Sequence, residues 1–357
     1  MQENSWDSRQ EPRVVRAVIM VAVFLLLAAS GLMYVKWWPY FYKALTAANT
    51  GSIGKSILGD PSAHMGAPTW DDAVGYAKLY FKSVWKAAVL GILLGSLVQV
   101  LIPTRWLQRV LGKSNFASVV CGGAAALPGM MCTCCAAPIA VGLRRRNASV
   151  GAALAFWIGN PLLNPATLVF MAFVLSWKFV VLRIAFGALL TFGIGFIANR
   201  IMRDRDAVVP ELPPAAAAAA QLESSSAPFL ERWLRSLWSL LLHVVPAYLI
   251  VVLMLGALKV WLFPISVGSG VVMILLFALA GTLFVIPTAA EIPIIQSFLA
   301  AGIAVGPTTA LLVTLPAISL PSLLMVMRSF PRKILLLLFG AVIAGGILCG
   351  VVGAVWI

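Results

Sequence analysis

The chain has 357 residues, 61% of them hydrophobic and 11% charged. A soluble domain carries roughly 25% charged residues, so a water-soluble globular protein is excluded. The net charge of +14 would suggest nucleic acid in a soluble protein. Here the cations flank apolar runs, as the positive-inside rule expects, and no basic stretch is interleaved with exposed aromatics, so a nucleic-acid partner is excluded.

The first apolar run, Ala17 to Val35, follows Arg9, Arg13 and Arg16. A cleaved leader ending near Ala28-Ala29-Ser30 is the rival reading. The run continues past that point, longer than a usual leader core, which favours a retained helix with its N-terminus in the cytoplasm. Lys36 to Phe81, with Asp60, His64, Asp71 and Asp72 and the aromatics Trp37, Trp38, Tyr40 and Tyr42, reads as an external segment. A span from Val84 to Ile102 and a basic loop with Arg105, Arg109 and Lys113 come next. Phe116 to Leu143 is interrupted at Pro128-Gly129 and ends at Arg144-Arg145-Arg146. Both its flanks are basic, so the segment enters and returns, as a re-entrant hairpin or as two helices.

Ser149 to Trp177 is broken by Asn160-Pro161-Leu162-Leu163-Asn164-Pro165, and Phe179 to Ala198 is a clean span. Residues 200–235, with Pro213-Pro214, six alanines and Ser224-Ser225-Ser226, read as a solvated cytoplasmic linker.

Beyond the linker the pattern returns. At an offset of 155, Pro138 aligns with Pro293, Val150-Gly151 with Val305-Gly306, Pro161 with Pro316, Lys178 with Lys333, Thr133 with Thr288 and Asn164 with Ser319. Basic flanks surround the broken hairpin in the first copy. In the second they move to Arg328, Arg332 and Lys333, after the later break. The second copy is therefore expected upside down. Such inverted repeats with interrupted helices point to a solute site near the bilayer midplane. The expected fold is all-α and polytopic, with inverted repeats, broken or re-entrant helices and about 8–10 membrane segments. Its units are 1–83, 84–199, 200–235 and 236–357. The expected location is a cell membrane, the bacterial inner membrane, crossed several times.

Three of the five cysteines fall within four residues, in Pro128-Gly129-Met130-Met131-Cys132-Thr133-Cys134-Cys135-Ala136-Ala137-Pro138. Cys121 and Cys349 suit the ordinary role of small buried residues. Three thiols beside a helix break suit a soft, thiophilic solute, with Cys132, Cys134 and Cys135 as its metal or metalloid ligands. A structural zinc site lacks paired ligands at a second position, since His64 and His243 are remote. A disulfide between adjacent cysteines would be strained. Reversible redox at Cys132 and Cys134 stays open.

Cys132 to Pro138, Leu143-Arg144-Arg145-Arg146 and Ala148 to Phe156 together resemble the ArsP-type predicted permeases. The resemblance covers Val84 to Ile357. It implies efflux of trivalent arsenicals in some members and maps the family's Cys-x-Cys pair onto Cys132 and Cys134. Cys135 departs from the pattern, where a small residue is usual.

Glu291 is the one acid in an apolar segment; the others lie in the tail, loops or linker. Such a carboxylate costs about 2.5–3.5 kcal/mol on insertion scales, so it is a candidate coupling group, opposite the thiols by the repeat alignment. The rival role is a helix-break cap. Asn160, Asn164 and Ser319 are candidate solute contacts, although the asparagines could instead satisfy carbonyls freed by proline. Pro128, Pro138, Pro161, Pro293 and Pro316 mark the helix breaks. His243 suits an interhelical hydrogen bond. Arg183, near the start of its span, can snorkel and receives no role.

A permease for a small thiophilic solute such as As(III) or an organoarsenical is the leading function, without a cofactor and not an enzyme. A membrane thiol oxidoreductase and a subunit of a larger complex are the alternatives, and a homo-oligomer is open. No GxxxxGK[ST] loop is present, so a single-chain nucleotide-driven pump is excluded.

Overall fold

The computed structural model describes residues 11–59, 69–203, 229–263 and 270–357. The N-terminal decapeptide, Asp60, His64 and linker residues 204–228 lie outside them, as does the side chain of His243. Every regular element among the described residues is helical. Hydrocarbon offers backbone N–H and C=O groups no water, and a helix satisfies them within its own segment.

The first span is α1 (Glu11–Leu32), a π turn (Met33–Trp37) and α2 (Trp38–Thr50). The sequence suggested an external segment from Lys36, but the helix continues to Thr50. There Gly51, at φ 62°, closes it. The next helix, α3 (Trp70–Leu101), starts well before the expected Val84. Thr69 caps it by accepting from the Asp72 amide, and Asp71 and Asp72 complement the positive end of the helix dipole. The short α4 (Thr104–Leu111) leads to the first broken hairpin, α5 (Phe116–Ala126) and α6 (Thr133–Arg145). Then follow α7 (Val150–Leu162), α8 (Pro165–Val174), α9 (Trp177–Ala188), a π turn (Leu189–Ile194) and α10 (Gly195–Arg203).

The second half holds α11 (Phe229–Leu262), the hairpin α12 (Val271–Leu283) and α13 (Glu291–Ala300), α14 (Val305–Ala317), α15 (Leu320–Val326) and α16 (Arg332–Trp356). Among the described residues six helical stretches, some of them two consecutive helices, are long and apolar enough to cross a membrane. The protein is an all-α, polytopic membrane protein. The hairpin arms, 10 to 13 residues each, reach only about 15–20 Å at 1.5 Å per residue. A hydrocarbon core of ~30 Å exceeds that, so each hairpin enters and returns without crossing.

The helix starts repeat at the offset of 155: Phe116 and Val271, Val150 and Val305, Pro165 and Leu320, Trp177 and Arg332. The packing repeats with them. Gly151 faces the carbonyl of Gly195, and Gly306 that of Gly350. In the layer Ala126–Gly159–Thr191 a Cβ on the central glycine would press on both neighbours; in Gly281–Thr314–Gly346 the central threonine fills the space both glycines leave.

Equivalent helices run antiparallel. α3 meets α11 through Asp72 and Lys259, Tyr80 and Tyr248, and Ser96 and Trp233. The α9–α10 span meets α16 through Lys178 and Trp356 at one point and Leu190 and Gly345 further along. One half is thus inverted relative to the other. The inversion gathers arginines at one end, where Arg144 reaches the Ser329 carbonyl and Arg145 reaches Gln99.

Candidate functional site

The two hairpin breaks meet inside the molecule. Each contains a non-glycine residue in the left-handed region, Met130 at φ 48° and Ala289 at φ 67°. Such a backbone persists only when its surroundings hold it. Three side chains fix the first break: Trp37 Nε1 donates to the Pro128 carbonyl (2.8 Å), Trp157 Nε1 to the Thr133 carbonyl (3.0 Å), and the Met131 amide to Asn160 Oδ1 (3.4 Å). The second break is held by Tyr76, whose hydroxyl donates to the Val285 carbonyl, and by Lys36, which donates to Thr288 Oγ1 at 3.0 Å.

Glycines let α3 press against the thiol-bearing helix. A Cβ on Gly91 would overlap the Cys135 carbonyl, and one on Gly95 would lie 2.7 Å from the Pro138 carbonyl. With Gly142 facing Gly95, the two backbones touch, and the cysteines sit buried at the centre.

Cys132 is the N-cap of α6, and its carbonyl accepts from the amides of Cys135 (3.2 Å) and Ala136 (3.0 Å). Its sulfur lies 3.0 Å from Cys135 Sγ. Cys134 turns away, 3.4 Å from Ser319 Oγ, which also stands 3.5 Å from Thr133 Oγ1. The expected metal set of Cys132, Cys134 and Cys135 does not converge: among the described residues no three His, Cys, Asp or Glu side chains gather around one point. Helical geometry explains the arrangement. Residues one apart point about 100° away from each other, whereas residues three apart share a face. The close pair is therefore Cys132 and Cys135, a C-x-x-C spacing at a helix start, rather than Cys132 and Cys134.

Glu291 opens α13 and lines a small cavity with Cys132, Thr133, Pro161, Thr167, Thr288 and Pro316. The repeats thus bring the carboxylate and one thiol to the same space. Contrary to the sequence expectation, Glu291 is not an isolated charge: Arg183, fully buried, lies 3.0 Å from its Oε1. The other carboxylate oxygen has no hydrogen-bond partner among the described residues. Arg183 also donates to the carbonyls of Pro161 (2.8 Å), Leu162 (2.8 Å) and Leu312. These carbonyls are orphaned by the breaks. Pro165 has no N–H for Pro161, Pro316 has none for Leu312, and the Ala166 amide that would serve Leu162 turns to Asn164 Oδ1. Arg183 does not snorkel to an interface; it ties together both broken helices.

Asn160 and Asn164 face backbone. Asn160 bridges Met131 and the Phe156 carbonyl, and Asn164 caps α8 through the amides of Ala166 and Thr167. Neither lines the cavity beside the thiols.

A family model described as a predicted permease, of the ArsP type, matches residues 79–355. The chain belongs to this family. The permease is 49% identical to UPF0718 protein YraQ of Escherichia coli K12, covering 92% of this chain and 93% of that one. UPF0718 protein MJ0584 of Methanocaldococcus jannaschii is 28% identical over 35% of this chain and 36% of its own. UPF0718 protein YcgR of Bacillus subtilis is 25% identical over 35% of this chain and 43% of its own. No solved structure matches the permease. The family and the apolar helices make the protein a multi-pass membrane permease.

Sequence reasoning missed Arg183, Lys36 and Trp157. Position within the span hid Arg183, because a cation near a span's start ordinarily reaches water. The C-x-x-C spacing of Cys132 and Cys135 was visible, and only the helix start at Thr133 singles it out.

Proposed function

We propose that the permease exports a thiophilic solute, a trivalent arsenical or a similar soft metalloid species, by binding it to the thiols at the first hairpin break. The observation that carries this reading is the Cys132–Cys135 pair, 3.0 Å apart, with Cys134 one residue away beside Ser319. Soft metalloids prefer sulfur donors, and two thiols on one helix face can hold one centre together. The arginine-rich end is the cytoplasmic one by the positive-inside rule, which leaves the C-terminus external. No nucleotide-binding loop is present, so the energy comes from an ion gradient, the membrane potential or downhill flux.

Glu291 is the coupling group in this reading. Taking up a proton would discharge its pairing with Arg183 and loosen the carbonyl contacts that join the two broken helices. Releasing a metalloid from thiolates also consumes protons, because free thiols are mostly protonated at neutral pH.

Uptake into everted vesicles with As(III), methylated As(III), Sb(III) and Cu(I), with and without a proton gradient, tests the proposal. The Cys132→Ser, Cys134→Ser double variant and Cys135→Ser should reach the membrane and lose flux. Glu291→Gln should keep solute exchange and lose gradient-driven transport. Unchanged flux in the cysteine variants removes the thiol site. Unchanged gradient dependence in Glu291→Gln returns that residue to a structural role.

A further inference from the structure

Lys36 sits in the π turn of the first span, 5% exposed. Its ammonium donates to Tyr40 OH and Thr288 Oγ1, both at 3.0 Å and both neutral. Among the described residues no carboxylate pairs with it. A buried cation with no carboxylate beside it is costly, so this position favours negative charge in the space that it lines.

The surroundings share that preference. Lys36 lines a cavity of about 410 Å³ with Lys43, Lys55, Thr288 and Cys132, and none of its described lining residues is acidic. Lys43 and Lys55 are exposed at the mouth, while Lys36 and Cys132 lie at the buried end. Lys43 and Lys55, exposed at the mouth, lie away from the arginine cluster, where the positive-inside rule disfavours cations, and Lys36 stands deeper, at the hairpin break. Topogenesis does not account for cations there, so a ligand does.

We propose that this vestibule is an anion-binding mouth of the permeation path, and that its solute is a small anion carrying a soft, thiol-reactive centre. Either an anionic thiolate complex of a metalloid or a sulfane-sulfur anion has this chemistry. The lysines hold the charge of the anion within the vestibule, and its soft centre meets Cys132 at the buried end. The inference rests on the thiol site for that buried end, while the choice of an anion rests on the lysines alone.

The test uses the full-length permease in proteoliposomes with three probes: thiosulfate, the anionic complex of As(III) with dimercaptosuccinate, and neutral arsenous acid. The parent should move at least one anion. In Lys43→Gln, Lys55→Gln the ratio of anion to arsenous-acid flux should fall. Two unit charges about 10 Å from the solute, in water at low ionic strength, account for about a fourfold rise in KM for the anion. The difference should vanish near 1 M salt, where the screening length is about 3 Å. Lys36→Gln should lose anion flux and Lys36→Arg should restore it. A parent that moves neither anion overturns the proposal, as does a double variant with an unchanged flux ratio. Loss of arsenous-acid flux in Cys132→Ser, Cys134→Ser would uphold the thiol site whichever way the lysine arms fall, so the two readings fail separately.

Discussion

Replacing Arg183 with leucine should destabilise the permease sharply, because four acceptors lose their donor at once. Removing one partner of a buried ion pair costs about 3–5 kcal/mol, since the remaining charge is left uncompensated. Each of the carbonyls of Pro161, Leu162 and Leu312 left without a donor adds about 1 kcal/mol or more. Protonation of Glu291 would relieve part of the charge penalty, so the sum for Arg183→Leu is about 4–6 kcal/mol. Glu291→Leu leaves the guanidinium with its three carbonyl dipoles, and its cost should be smaller, about 3 kcal/mol. The double variant carries the carbonyl penalty without either charge. With the three carbonyls at about 1 kcal/mol each, a double-mutant cycle should therefore show a coupling energy of about 4–6 kcal/mol. Arg183→Lys should not rescue, because a single ammonium cannot serve four acceptors spread around a planar fork. Unfolding of the purified protein in mixed micelles, followed by tryptophan fluorescence, reads all four variants. Single variants within about 1 kcal/mol of the parent, or a strictly additive cycle, would refute the claim that this pair joins the two halves.

A dithiol reagent such as phenylarsine oxide should bind one per chain and protect two thiols. Protection should vanish in Cys135→Ser and survive in Cys134→Ser, as mass spectrometry can follow; the opposite order would mean that the pair is Cys132 and Cys134. Gly91→Leu should lower stability by at least the ~1–3 kcal/mol of ordinary overpacking, because its side chain meets the Cys135 backbone. The same variant should lose dithiol protection, and retention of both properties would show that α3 does not set the thiol geometry. Arg203→Cys and Ile357→Cys should be labelled by impermeant maleimides from opposite sides of the membrane, and labelling from one side would overturn the inverted topology.

The hydropathy and the offset of 155 were legible because they are local properties of the chain. Apolar runs of sufficient length must be helices in hydrocarbon. Proline breaks at one spacing in both halves announce a repeated element, and the helix starts follow that spacing. The charge clusters carried the inversion, since cations at span ends remain on one side of a bilayer. The extent of the first span was less legible. Trp37, Trp38, Tyr40 and Tyr42 read as interfacial, yet the helix passes through them, with Lys36 buried against Thr288.

From its own residues the chain settled its class, its repeat and the position of its breaks, all of which depend on spacing along one segment. Which thiols face each other depended on where α6 starts, a fact set by the Cys132 cap and by Gly91 and Gly95 beneath it. The partners of Glu291 and Lys36 were decided by tertiary structure alone. Arg183 meets Glu291 across 108 residues and Lys36 meets Thr288 across 252, distances at which no local pattern constrains pairing. Folding brings such groups together because orphaned carbonyls and buried charges in an apolar interior must find partners wherever the chain supplies them.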